Sequence, residues 1–165
     1  SQRIDISTTQ VINYLKALNN AYLINRIGRI DIKGLKKFEV GDKYFFEDLG
    51  LRNCHIGFNL QRDIHKLLEN AVYLHLSLLQ YEIYTGQNEQ QEIDFIGIKQ
   101  GMKVYVQVTY LIVDEKTQKR EFGNLMNIQD NYPKYVVSLD EFNRGSNVEG
   151  IHHLHLADFL KMNRL

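Results

Sequence analysis

The chain has 165 residues, equal numbers of basic and acidic side chains (20 of each) and a single cysteine, Cys54. This length fits one ordinary domain or a compact core with a small appendage, since domains commonly contain about 100–200 residues. Apolar residues make up 44% of the sequence and charged residues 24%, which is typical of a globular protein and excludes a disordered one. One cysteine excludes a disulfide framework. With neither a long apolar stretch nor a hydrophobic leader, the sequence predicts a cytoplasmic protein without a membrane partner.

Residues 1–58 have the pattern of a helix followed by two short strands. Ser7 is a typical N-cap residue, and apolar residues follow it at helical spacing: Val11, Ile12, Leu15, Leu18, Tyr22 and Leu23. Residues 26–33 alternate in polarity like a strand, and residues 43–47 predict a second strand that ends in a turn at 48–50. A helix and a two-stranded ribbon form the back half of a winged helix. We therefore interpret residues 1–58 as a partial winged helix and expect the chain to be part of a longer protein.

Two sets of polar residues in this segment are candidates for contact with nucleic acid. Thr9, Asn13 and Lys16 lie on the polar side of the first helix, in the way that recognition helices reach DNA. The second set lies in the basic stretch of the two-stranded ribbon, which would be the wing of the winged helix and would contact the phosphate backbone of DNA: Arg29, Lys33, Lys36 and Lys37. The alternative stays open that these faces are solvated or pack against another domain and contact no DNA.

Residues 59–165 have the pattern of an α/β domain with a mixed sheet. A helix is predicted over residues 62–79, and it is apolar on more than one side, as expected for a buried helix. The segments that follow predict strands at 81–85, 92–98 and 102–110, a helix at 116–128, strands at 134–139 and 151–155, and a helix at 157–162. The turn at 99–101 predicts a hairpin, and residues 143–150 predict a mobile loop.

Polar residues interrupt the apolar pattern of this domain at four positions; one of them, Glu92, fits a solvent-facing start of its strand, and the other three form one candidate set. Glu69 lies within the apolar helix, while Asp94 and Gln107 lie on the two strands of the predicted hairpin. A carboxylate in such surroundings is costly unless it is paired, hydrogen-bonded or bound to a cation. Carboxylate and amide oxygens suit Mg²⁺ or Mn²⁺, so the three residues are a candidate metal site. The alternative is a polar network that joins the helix to the sheet without a metal.

The order of elements and these three residues resemble the PD-(D/E)XK nuclease-like superfamily. That family has an acid in the first helix, an Asp on the second strand and Glu/Gln-x-Lys on the third, which correspond here to Glu69, Asp94 and Gln107-Val-Thr109. The resemblance implies a restriction-endonuclease-like core (αβββαβ) in which Asp94, Gln107 and Glu69 are the catalytic residues and metal ligands. Thr109 replaces the family's lysine, which would orient the attacking water. Lys103, on the same strand face, is a candidate to replace that lysine.

A second resemblance covers nearly the whole chain. It rests on the motifs Tyr44-Phe-Phe-Glu-Asp-Leu-Gly-Leu-Arg-Asn53, Leu68-Glu-Asn-Ala-Val-Tyr73, Glu92-Ile-Asp-Phe95, Val106-Gln-Val-Thr-Tyr110, Arg120-Glu-Phe-Gly123, Asn131-Tyr-Pro-Lys-Tyr-Val136 and Ile151-His-His-Leu-His-Leu-Ala-Asp-Phe159. Together they resemble the C-terminal region of a large group of prokaryotic AAA-type P-loop ATPases. In that group an N-terminal ATPase module precedes a winged helix and a nuclease-like domain, so the resemblance implies this module as a partner. The chain lacks G-x-x-x-x-G-K-[ST], so ATP belongs only to that module.

Three functions follow as hypotheses. The leading one is a non-catalytic accessory domain of the ATPase, with a degenerate nuclease-like fold at residues 59–165 that binds nucleic acid or a protein partner. The second is a DNA nuclease that depends on Mg²⁺ or Mn²⁺. The third is an oligomerisation or interdomain docking module, which binds neither metal nor nucleic acid. The sequence separates the first two only through Thr109.

Overall fold

The structure, a computed structural model, describes residues 6–38, 41–87, 92–142 and 144–165. Within these ranges the chain forms five helices and nine strands. The helices are α1 (Thr8–Asn20), α2 (Leu49–Ile56), α3 (Leu60–Leu78), α4 (Glu115–Met126) and α5 (Leu156–Phe159). The strands are β1 (Ile24–Ile27), β2 (Arg29–Asp31), β3 (Lys43–Phe46), β4 (Glu82–Gln87), β5 (Glu92–Lys99), β6 (Met102–Val108), β7 (Lys134–Ser138), β8 (Asn147–Val148) and β9 (Ile151–His155).

Seven of these strands form one mixed sheet in the order β2-β4-β5-β6-β7-β9-β8. The strands β4, β5 and β6 are antiparallel, whereas β6, β7 and β9 run parallel. A parallel connection needs a crossover, and α4 provides it between β6 and β7. The strands β1 and β3 form a separate antiparallel ribbon. The prediction of an α/β fold with a mixed sheet is therefore confirmed.

The sheet carries a hydrophobic core on each face. One core joins α3 and α5 to the sheet and contains Leu76, Phe95 and Val106. The other joins α4 to the sheet and contains Tyr105 and Leu125. Neighbouring residues of β6 enter opposite cores because successive side chains of a strand point to opposite faces. The central strands are consequently buried on both sides.

Local signals explain where several elements begin or end. Ser7 and Gln10 form a capping box at the start of α1, and the Asp114 side chain accepts a hydrogen bond from Thr117 at the start of α4. The β5–β6 hairpin turns at Gln100 and Gly101, both of which have positive φ angles (52° and 79°). The hairpin, α3, α4, β7 and β9 all form where the sequence predicts them, within about two residues at each end.

The N-terminal segment differs from its prediction. The strand predicted over residues 26–33 is two strands, β1 and β2, which are separated at Gly28 because they pair with different sheets. Only β1 pairs with β3, whereas β2 pairs in parallel with β4 in the large sheet. The residues predicted as a turn at 48–50 begin α2 instead, because the Asp48 carboxylate caps that helix.

Two smaller differences lie near the C-terminus. Part of the loop predicted at 143–150 forms β8, which pairs antiparallel with β9. The terminal helix begins one residue earlier than predicted and is only four residues long. None of the helices in the described ranges is long and apolar enough to cross a membrane.

Candidate functional site

The side chains of Glu69 and Asp94 converge on a cation that the sequence did not single out, the ammonium group of Lys43. Its Nζ atom lies 3.2 Å from Glu69 Oε2 and 3.1 Å from Asp94 Oδ1. A third carboxylate oxygen, Glu92 Oε1, lies 3.0 Å from the same atom. We call Lys43, Glu69, Glu92 and Asp94 the lysine cluster. It joins strand β3 of the ribbon to α3 and to the start of β5.

Packing and hydrogen bonds around β3 place Lys43 in the cluster. The Phe46 backbone N–H donates to Asn70 Oδ1 and its C=O accepts from Asn70 Nδ2, both at 2.8 Å. Asn70 follows Glu69 in α3, so this clamp holds the strand beside the helix turn that carries Glu69. The Phe45 ring stacks on Tyr73 with 4.7 Å between ring centroids. The position of Lys43 is thus set by the attachment of its strand to α3.

Gln107 joins the network from β6. Its Oε1 atom accepts from the Asp94 backbone N–H at 3.4 Å, and its Nε2 atom donates to Glu121 Oε2 at 3.1 Å. The Val108 N–H donates to Asp94 Oδ2 at 3.0 Å. The Arg120 Nε atom donates to Glu121 at 2.9 Å. The polar groups of Asp94 and Gln107 are therefore engaged within the protein.

The lysine cluster shifts the ionisation of its members. Burial raises the pKa of Asp94 to about 6, a shift that the Lys43 charge opposes and the Glu69 charge increases. Burial lowers the pKa of Lys43, but the charges of Asp94, Glu69 and Glu92 outweigh burial and leave it above its ordinary value. Burial raises the pKa of Glu92, but hydrogen bonds and charge from Lys43 and Arg29 leave it lowered. Lys43 is therefore charged at neutral pH.

In the structure an ammonium group faces the carboxylates that the sequence predicted as metal ligands. The ammonium group lies where the three carboxylates converge, and the oxygen of Gln107 faces a backbone N–H. In the described part of the chain, no three or more His, Cys, Asp or Glu side chains are arranged to hold a metal. Thr109, which stands where the nuclease-like family has its lysine, is buried, with 3% of its surface exposed. Of the expected metal ligands, Glu69 and Asp94 are thus brought together around a lysine, whereas Gln107 joins them only through its hydrogen bond with the Asp94 backbone.

Lys103 does not reach this network. It lies near the opposite end of β6, paired with Ile98, and its ammonium is 5.5 Å from the ring centroid of Tyr132. Gln107 lies four positions further along the strand, which corresponds to about 13 Å. The ammonium near Asp94 comes from Lys43 instead. The only sequence signal for Lys43 is a charged residue at the head of the apolar strand Lys43-Tyr-Phe-Phe46.

The residues predicted to contact nucleic acid divide into two groups. Most are exposed, on α1 or on the segment after β2: Thr9, Asn13, Lys16, Lys33, Lys36 and Lys37. Arg29 is instead engaged internally, with its Nε donating to Gly41 O at 3.0 Å and its Nη1 to Gln87 and Glu92 at 2.9 and 3.1 Å. Arg29 therefore belongs to the surroundings of the lysine cluster. Contact of the exposed residues with nucleic acid stays a prediction.

Comparison with known proteins finds an uncharacterised relative in Haemophilus influenzae. It is 32% identical over 160 residues, and the match covers 97% of this chain and 39% of the relative. The chain thus spans about two fifths of the length of the curated relative that it matches. No protein-family model matches the chain, and no solved structure matches it.

Proposed function

We propose that the chain is a non-catalytic accessory domain of an AAA-type ATPase, with a degenerate nuclease-like fold that binds nucleic acid or a protein partner. The observation that carries this proposal is the position of Lys43. Its ammonium lies among the carboxylates of Glu69, Glu92 and Asp94, where the nuclease-like family would hold a divalent ion. A built-in cation compensates the buried negative charge and makes a metal unnecessary for folding.

The arrangement of elements supports the nuclease-like part of this proposal. The succession α3-β4-β5-β6-α4-β7 matches the αβββαβ core that the resemblance implies. Glu69 lies on the first of these helices, Asp94 on the second strand and Gln107 on the third, as in the family pattern. The helix α1 with the β1–β3 ribbon supports a partial winged helix in front. The greater length of the Haemophilus influenzae relative is compatible with a further module.

A Mg²⁺- or Mn²⁺-dependent DNA nuclease is the second candidate. The observation that favours it is again Lys43, which brings to Asp94 an ammonium group that Thr109 cannot supply. The two candidates differ in whether the carboxylates bind a metal in the presence of this lysine.

Calorimetric titration of Mg²⁺ and Mn²⁺ into the native chain and an Asp94→Ala variant tests the proposal. We expect no saturable binding to the native chain at millimolar metal, and no cleavage of single- or double-stranded DNA. We also expect Lys43→Ser to acquire metal binding, because it leaves three carboxylates without their cation. Metal binding by the native chain that is lost in Asp94→Ala, together with metal-dependent cleavage, would establish the nuclease instead.

A further inference from the structure

A cleft of about 510 Å³ lies on the α4 side of the molecule, away from the lysine cluster. Lys103 at the start of β6, Lys33 after β2 and the segment that follows α4 line it. This volume lies within the range of about 300–1,000 Å³ that is typical of sites for small ligands. We call it the α4 cleft.

The α4 cleft carries an excess of positive charge. Lys33 is exposed and Lys103 half-buried, and within the described residues neither has a carboxylate at ion-pair distance. The acidic residue of the lining, Asp130, is already engaged. It accepts hydrogen bonds from the Tyr105 hydroxyl at 2.6 Å and the Tyr132 N–H at 3.2 Å, and lies 3.7 Å from an ammonium group outside the lining. The two lysines are therefore available to an anion.

The remaining lining residues suit a planar ring with hydrogen-bonding edges. The side-chain amides of Asn127 and Gln129 are exposed, and each offers both a donor and an acceptor. Amide side chains of this kind pair with the edges of nucleobases. The Lys103 ammonium lies over one face of the half-exposed Tyr132 ring, 5.5 Å from its centroid, so the exposed part of the ring can contact a base next to this charge.

The C-terminal end of α4 adjoins the cleft. This end is the negative end of the helix dipole and would by itself disfavour an anion. Two of its last carbonyls are satisfied, because Gly123 O accepts from the Asn127 N–H and Leu125 O from the Ile128 N–H. Two full positive charges on Lys33 and Lys103 exceed the sum of the Asp130 charge and the partial charge at a helix end, which is about half an elementary charge. The net field in the cleft therefore favours a negative group.

We propose that the α4 cleft binds a nucleotide, with its phosphate held by Lys33 and Lys103 and its base against Tyr132 and the amides of Asn127 and Gln129. The nucleotide is either a free mononucleotide or one unit of a single-stranded nucleic acid, since both present the same phosphate and base. This inference involves neither Lys43 nor the carboxylates around it; a free nucleotide as ligand goes beyond the proposed function, and single-stranded nucleic acid would specify its nucleic-acid partner.

Binding of two probes to the native chain and to matched variants tests the inference. The probes are adenosine monophosphate, titrated by calorimetry, and a fluorescent single-stranded DNA 12-mer, followed by anisotropy at low salt. Lys33→Gln/Lys103→Gln removes the charges of the cleft. Lys116→Gln/Lys161→Gln removes the same charge from exposed positions outside its lining, one of them at the opposite end of α4. Thermal unfolding followed by circular dichroism checks that each variant is folded.

We expect the native chain to bind at least one probe saturably. The cleft variant should weaken this binding by about tenfold or more and the control by no more than about twofold, because only the first pair contacts the phosphate. Tyr132→Leu, which leaves the charge unchanged, should weaken it by about tenfold through the loss of stacking. Binding of adenosine monophosphate identifies a free nucleotide as the ligand, and binding of the 12-mer alone identifies single-stranded nucleic acid. Absence of binding by both probes at millimolar concentration, or equal effects of the two double variants, would overturn the inference.

Discussion

Lys43 is the residue on which the lysine cluster depends, because its charge faces three carboxylates that would otherwise repel one another. We expect Lys43→Met to lower the free energy of unfolding by about 3 kcal/mol at pH 7, the scale for removing one partner of a largely buried ion pair. Urea denaturation followed by circular dichroism measures this loss. Lys66→Met removes an exposed lysine of α3 and should change stability by less than about 0.5 kcal/mol.

The pH dependence of the stability of Lys43→Met shows why this variant is less stable. It distinguishes repulsion among the carboxylates from the loss of packing around the lysine side chain. Without the ammonium, Asp94 and Glu92 lose the charge that opposes the effect of burial on their pKa values, so both pKa values rise above those in the native chain. The folded variant then binds more protons than the unfolded chain. Lowering the pH towards 3.8 and 4.5, the ordinary pKa values of Asp and Glu, should therefore reduce the difference in stability between the variant and the native chain. A stability deficit that is the same at pH 7 and pH 4.5 would mean that only packing is lost.

His75 gives the native chain a separate dependence on pH. Burial lowers its pKa below the ordinary value of 6.5, and contacts with the backbone of Met162 and Phe159 oppose this only in part. The unfolded chain therefore takes up a proton before the folded one does, and the contribution of His75 to stability declines as the pH falls from about 6.5 towards the lower pKa of the folded state. We expect His75→Gln to lose less stability than the native chain between pH 7.5 and pH 5.5. Urea denaturation at several pH values measures the free energy of unfolding of both proteins. An equal loss in the two proteins over this pH range would contradict a contribution of His75.

At the scale of elements, local sequence signals predict most of the large sheet but little of the ribbon. The hairpin follows from the alternation of β5 and β6 and from Gly101, whose positive φ suits the turn. The same alternation identifies Asp94 and Gln107 as polar residues facing inward. Lys43 gives no such signal, because its partners lie 26 and 51 residues away and only the complete fold brings them together. Helix α2 was missed because Asp48 suits a turn and a helix cap equally well.

The attachment of β3 to α3 depends on Asn70, whose side chain makes both hydrogen bonds to Phe46. Asn70→Ala leaves two backbone groups without partners, and we expect a loss of about 2 kcal/mol in the free energy of unfolding. Because Asn70 and Lys43 hold the same strand, Asn70→Ala and Lys43→Met should together cost less than the sum of their separate effects. Asn147→Ala, at the exposed start of β8 and separated in the sheet order from strand β5 of the lysine cluster by β6, β7 and β9, is the control: its effect should add to that of Lys43→Met in the same denaturation experiment.

At the scale of the whole molecule, most of the N-terminal segment belongs to the structure of the sheet. The strand β2 pairs with β4, and Ile27 and Phe45 lie in the core under α3. The segment also supplies Lys43 to the carboxylates of α3 and β5. By contrast, α1 has no buried residue. We therefore expect the folding unit to begin after α1, and the predicted boundary at residue 58 to divide this unit.

Two truncated chains test where the folding unit begins. A chain that starts at residue 59 loses β2, the ribbon and Lys43, so Phe95 is uncovered and the carboxylates of Glu69 and Asp94 are left without their cation. We expect it to lack a cooperative unfolding transition in urea. A chain that starts at residue 21 loses only α1 and its few contacts with β1, and should unfold cooperatively within about 1–2 kcal/mol of the full chain. Cooperative unfolding of the shorter chain would make the ribbon an appendage and the lysine cluster dispensable for folding, which would leave its carboxylates free for another cation.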